Sequence, residues 1–144
     1  SVHNVGSIFR TADAAGVSKI ILSGYTPAPL DRFGRERKDF SKVSLGAEKS
    51  VPWEQTKTLA GALKRVRKEN YRVVAVEQAK NSTSLFKYKP HAAKIALVLG
   101  NEVRGISKQA LKLCDDIIEI PMRGLKESLN VSVAAGVALF TLVR

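Results

Sequence analysis

The 144-residue chain has a single cysteine, Cys114. An intramolecular disulfide is therefore impossible, a cysteine-rich metal site is excluded, and no metal is expected. Long apolar runs are also missing. The longest, residues 131–143, is about thirteen residues, short of the ~20 that a membrane-spanning helix needs. No charged opening followed by an apolar stretch marks a signal peptide, so the chain reads as cytoplasmic with no membrane partner. It opens on Ser1 rather than Met, which reads as a fragment or a processed chain. Neither a repeat nor a low-complexity tract interrupts it, and nothing marks a second domain, so residues 1–144 read as one.

Acidic residues are scarce. Thirteen Asp and Glu face 24 Lys and Arg, a net charge of +11, and the pI is near 10.0. Such an excess favours a polyanionic partner, because every phosphate neutralised releases condensed counterions. The basic residues cluster in 32–42, 64–72 and 80–94. Phe33, Phe40, Phe86 and Tyr88 lie among them, as residues that would stack on unpaired bases or, taken singly, anchor local packing.

Helical and apolar extended segments alternate along the chain. Asn4 reads as the cap of a first helix with Val5, Ile8, Phe9 and Ala12 on one face, stopped at Gly16. A short strand follows at 19–23. Residues 24–52, rich in Gly and Pro with a charged centre, read as one long irregular, substrate-facing excursion. A basic helix is expected over 56–70, a strand over 72–77, a loop over 82–90, and a strand buried on both faces at 95–99. Ser107 caps a short helix to Cys114, a last strand covers 117–120, and residues 130–144 form a helix apolar nearly all round. The fold class expected is α/β, a mostly parallel sheet flanked by helices. Ligands of such sheets collect beyond the carboxyl ends of the strands.

Three polar clusters stand out. Asn4 to Arg10 places an amide, a glycine and an arginine at a helix start, suited to phosphate or ribose. Leu99-Gly100-Asn101-Glu102, ahead of Gly105, follows the most apolar strand and lets backbone approach a ligand. It is no phosphate-binding loop, since the Walker pattern and its Lys-Ser/Thr ending are absent. Ile120 to Ser132 runs from a strand end through Pro121 and Gly124 to Ser128 and Asn130 at the mouth of the last helix. Only His3 and His91 are available to activate Ser128, and neither sits in a hydrolase motif, so Ser-His hydrolysis is unconvincing.

In order and spacing, NVGSIFRTADAAGV, LVLGNEVRGIS and IPMRGLKESLNVSVAAGVAL resemble the three motifs of the SpoU/TrmH branch of SPOUT RNA methyltransferases. The resemblance covers nearly the whole chain. It implies an α/β fold with a C-terminal deep trefoil knot over about residues 95–144, S-adenosylmethionine as methyl donor, and transfer to a ribose 2′-hydroxyl of tRNA or rRNA. It matches Gly100, Ile120 and Leu129 to cofactor positions, with Leu99, Asn101, Met122 and Ser128 beside them. It matches Arg10 to the catalytic arginine, with Asn4, Glu102, Ser128 and Asn130 as companions. It further implies a homodimer and a strand preceding the first motif. The basic tract adds Arg32, Arg35, Arg37, Lys38 and Lys42 to Arg10 as the residues expected to hold RNA. A non-catalytic RNA-binding protein and a base-methylating relative remain as alternatives. Presence of all five catalytic positions favours an enzyme, and Ser128-Leu129-Asn130 favours the ribose branch.

Overall fold

The computed structural model describes residues 1–90 and 92–143. His91 and the end of the last helix at Arg144 lie outside the described residues. The chain forms two compact units, 1–58 and 59–144, taken in turn.

In the first unit, helix α1 (Val2–Ala15) begins at Ser1 rather than at Asn4. The Ser1 hydroxyl accepts the Asn4 amide hydrogen at 3.1 Å, which leaves Asn4 inside the first turn and buried. Gly16 ends the helix as read. Strand β1 (Ile20–Ser23) pairs in parallel with β2 (Trp53–Thr56). The half-polar run Trp-Glu-Gln-Thr gave no sign of a strand in the sequence. The excursion between them is not wholly irregular, for it holds two short helices, α2 (Lys38–Ser44) and α3 (Ala47–Ser50). Phe40 is the reason α2 forms where charges dominate. It is fully buried with Phe9, Val5, Leu22 and Ala47, and the Phe9 and Phe40 rings meet edge to face at 5.3 Å.

The second unit opens with α4 (Leu59–Lys68), shorter than read because Thr56 belongs to β2. Ala62, Leu63 and Val66 are its buried face. Four parallel strands follow: β3 (Arg72–Val76), β4 (Thr83–Ser84), β5 (Ile95–Leu99) and β6 (Asp116–Glu119), in the order β4-β6-β3-β5. The strand buried on both faces is β3, whose Val73, Val74 and Ala75 are wholly inaccessible. The more apolar β5 lies at the sheet edge and is half-buried, burial following position in the sheet rather than hydropathy. The expected loop at 82–90 contains β4 and the buried Leu85.

Helix α5 (Lys108–Lys112) is capped by Ser107. Helix α6 (Val131–Leu142) is capped by Asn130 and buries Ala135 and Ala138. Its opposite face is open, with Val133 and Phe140 each 50% exposed. The core gathers Val74, Leu85, Ile118 and Ala138. Asp116 ties the sheet's amino end together, receiving the Arg72 guanidinium through two bonds of 2.6 and 2.9 Å.

Candidate functional site

Since β5 and β6 flank β3 in parallel, Val76 sits opposite both Leu99 and Ile118. The chain thus leaves three neighbouring strands at one edge, through Glu77, Gly100 and Ile120. A cleft opens there, enclosing about 650 Å³ with its open mouth included. Val76, Glu77 and Gln78 line it beyond β3, Leu99, Gly100 and Gly105 beyond β5, and Glu119, Ile120 and Met122 at the end of β6. Ser128, Leu129 and the first turn of α6, Val131 and Ala134, complete the wall. Apolar walls with a few placed polar groups suit a small organic ligand.

The turn after β5 is built by side chains that take up its amides. Asn101 Oδ1 accepts from the N–H groups of Val103 at 2.8 Å and Arg104 at 3.1 Å. Asn101 and Gly105 exchange both backbone hydrogen bonds, at 3.3 and 2.9 Å. Gly105 has φ +66°, and a Cβ there would collide with the Glu77 carboxylate. A Cβ on Gly100 would lie 2.5 Å from Gly105 C and 2.7 Å from Ile106 N. The two glycines therefore let one stretch of backbone lie against another.

Glu77 fixes this turn to the sheet. Its Oε2 accepts the Ile106 N–H at 2.8 Å and its Oε1 the Gln78 N–H at 3.1 Å. Gln78 Nε2 in turn donates to the Glu127 carbonyl at 2.5 Å, and Glu119 Oε1 accepts from the Ser82 hydroxyl at 2.7 Å.

Of the residues matched to cofactor positions, Leu99, Gly100, Ile120, Met122, Ser128 and Leu129 all line the cleft. Asn101 does not; it shapes the turn. Glu102 is exposed on that turn, outside the cleft lining. Asn130 Oδ1 accepts from the Ser132 amide at 2.9 Å and the Ser132 hydroxyl at 2.5 Å, as the cap of α6. Sequence reasoning missed Glu77, Gln78 and Glu119. The strand-end rule that pointed beyond β5 and β6 would have pointed to Glu77 had it been applied to β3.

The remaining residues belong to the first unit. Arg10 is exposed on α1 while Asn4 is buried. Six residues of helix turn their side chains about 240° apart, so they leave α1 in different directions. In the basic tract, Arg35 is paired with Asp31 at 2.9 Å and Arg37 with Asp39 at 3.0 Å. Arg32, Lys38 and Lys42 are exposed and have no ion pair among the described residues. Phe40 is withdrawn from any stacking role by its burial, and Tyr88 is half-buried with its hydroxyl on Asp116 at 2.5 Å. Phe33 and Phe86 are exposed. Among the described residues no cluster of metal-ligating side chains occurs, and no helix is long and apolar enough to cross a membrane.

A parallel sheet with a cleft at its carboxyl edge, lined by residues of the second and third motifs, defines a particular class: residues 1–140 match the SpoU rRNA Methylase family, and the chain belongs to it. It is similar to the 23S rRNA (guanosine-2'-O-)-methyltransferase RlmB of Escherichia coli, with 38% identity over 142 residues. The RlmB of Photorhabdus laumondii is 39% identical over the same length. Each match covers 99% of this chain and 55% of the relative, so the chain spans about half the length of these curated relatives. Among solved structures, the AdoMet-bound rRNA methyltransferase from Sinorhizobium meliloti matches with a TM-score of 0.86 at 29% identity, over 98% of this chain and 51% of that one. The SpoU methyltransferase AviRb from Streptomyces viridochromogenes, in complex with AdoMet, gives 0.84 at 26% identity, over 99% and 55%.

Proposed function

We propose that residues 1–144 are a single catalytic domain that transfers a methyl group from S-adenosylmethionine to a ribose 2′-hydroxyl of RNA in the cytoplasm. The relatives' names favour rRNA over tRNA. The observation that carries the reading is the cleft, where six residues matched by motif to cofactor positions line one space. Leu99, Ile120, Met122 and Leu129 supply an apolar bed for an adenine, and the close-packed backbone at Gly100 supplies polar groups for its edge. Glu77 and Glu119 set negative charge in the wall, which suits a cationic donor. When bound, that donor supplies an electrophilic methyl group on a sulfonium.

Arg10 has the task of holding the RNA. A guanidinium stays protonated in proteins, so Arg10 grips phosphate and ribose and stabilises charge on the hydroxyl oxygen, whose proton passes to solvent water as the methyl group moves from sulfur to oxygen. Asn4, Glu102, Ser128 and Asn130 are its companions in this reading. Asn130 joins the two tasks, because the residue that caps α6 through Ser132 directly follows Ser128 and Leu129 in the chain.

The proposal includes a homodimer and a trefoil knot over about residues 95–144. The half-exposed apolar face of α6 supports the first. The second is supported by the crossing of the chain from β5 on one side of β3 to β6 on the other. The test is methyl transfer from labelled S-adenosylmethionine to unmodified rRNA and tRNA, with Arg10→Ala alongside. Wild type should fix label as a 2′-O-methyl nucleotide, and the variant should lose at least about 100-fold in rate, as removal of a preorganised charge does. Label recovered on a base, or an undiminished Arg10→Ala rate, sinks the reading.

A further inference from the structure

The tip of the excursion in the first unit is more ordered than its composition foretells. Leu30 and Glu36 form an antiparallel bridge. Inside it, Asp31 Oδ1 accepts the N–H groups of Phe33 at 2.8 Å and Arg35 at 3.0 Å. The Asp31 backbone N–H donates to the Arg35 carbonyl at 2.8 Å and its carbonyl accepts from Gly34 at 3.0 Å. This closed loop holds up Phe33, whose surface is 66% exposed. The guanidinium carbons of Arg32 and Arg35 lie 4.8 and 5.0 Å from the ring centroid.

Leaving a phenylalanine in water forgoes much of its burial free energy, about 1.5–3 kcal/mol in full. Here a rigid turn enforces that exposure. Nor is the tip simply a positive patch, since Asp31 and Asp39 hold Arg35 and Arg37 in ion pairs. Its distinguishing asset is an exposed aromatic ring with two guanidinium groups over it, a planar cation–π stack that an unstacked base extends. Resting on the RNA reading above, the geometry points to residues 31–35 as a platform that stacks one unpaired nucleotide of the substrate. Arg32, with no ion pair among the described residues, is the cation left for the adjoining phosphate. A duplex offers no free base face, so the tip selects loops, bulges and single strands.

The test compares a short fluorescent single-stranded RNA of mixed sequence with the blunt duplex made from it, by anisotropy over a salt series. Wild type should prefer the single strand. Phe33→Ala should weaken single-strand binding roughly 5- to 150-fold, the span of about 1–3 kcal/mol of base–aromatic stacking. Its salt slope should stay that of wild type and its duplex affinity should hardly change. Phe33→Trp should restore binding. Arg32→Gln should reduce the slope by about 0.7, the value for one phosphate of a single strand. Equal single-strand affinity of wild type and Phe33→Ala overturns the platform and leaves the enzyme reading standing. So does a loss of the same size on single strand and duplex. Wild type that binds S-adenosylmethionine in calorimetry yet neither RNA overturns both.

Discussion

The tip at residues 31–35 and the turn at residues 100–106 are each tied down by a carboxylate, at very different range. Asp31 reaches partners no more than four residues away and works in the open. Glu77 reaches across 29 residues to Ile106, at the edge of the sheet. A local closure needs nothing from the rest of the chain and can be placed wherever a loop must present a side chain. A long-range closure makes the shape of a ligand wall depend on correct strand pairing. The first unit thus carries a self-standing projection, and the second a cleft that exists only when its sheet does.

The contrast is broken most severely at Gly100. Gly100→Ala sets a Cβ against backbone atoms of Gly105 and Ile106, which have less freedom to yield than a flexible side chain. A loss of about 3 kcal/mol, the upper part of the overpacking range, is expected in denaturant unfolding. Loss of S-adenosylmethionine binding in calorimetry should accompany it. An unshifted unfolding midpoint with donor bound as in wild type would mean that the strand-end turn is far more pliable than its contacts imply.

Glu77→Ala strands the Ile106 N–H and should lower stability by about 1–2 kcal/mol, the lower half of the range for an orphaned donor because the site is partly open. Donor affinity should fall roughly tenfold with it. Glu77→Gln keeps an acceptor oxygen and should recover most of both. A full loss in Glu77→Gln as well would assign the effect to charge on the cleft wall rather than to the hydrogen bond.

The smallest effect is expected at the tip. The backbone N–H of Arg35 foremost, with that of Phe33 and the Arg35 side chain, holds the Asp31 carboxyl below its ordinary value of 3.8. A depressed carboxylate contributes its closure fully above the unfolded value and loses it as pH falls through the lower folded one. The amide resonances of Phe33 and Arg35 should therefore stay fixed down to about pH 4 and move together only below it. Movement centred above that point would show that Asp31 does not close the loop.

The second unit was the more legible in sequence. Strands β3, β5 and β6 are short apolar runs bounded by polar breaks; Ser107 caps α5 as expected, and Asn130, read at the mouth of the last helix, caps α6. Six cleft residues followed from two motifs. The first unit hid more, because its elements are stabilised by single distant contacts. Strand β2 has no alternating pattern to betray it, and α2 is pinned amid charges by Phe40, with Ser44 buried and Val43 against Gly6. Asn4 misled because an amide near a helix start satisfies the capping rule, and only geometry shows that Ser1 has taken the place. Glu119 was missed since a lone acid at the end of a strand has no spacing to recognise, and Glu77 because the strand-end rule was not applied to β3. Even the strength of β5 as an apolar run misplaced it, for hydropathy does not say which strand is central.

The order β4-β6-β3-β5 also governs how the second unit can come into being. Its innermost strand is flanked on both sides by strands that emerge from the ribosome later, and the link between Val73 N and Asp115 spans 42 residues. Such separations slow folding, because loop-closure entropy is lost before pairing repays it. A nascent chain halted before Asp116 holds β3 with one side unpaired, a bare edge open to any other strand nearby. Within residues 1–144 the ligand wall accordingly forms after the tip, and a chain cut short before Asp116 retains the tip but no cleft.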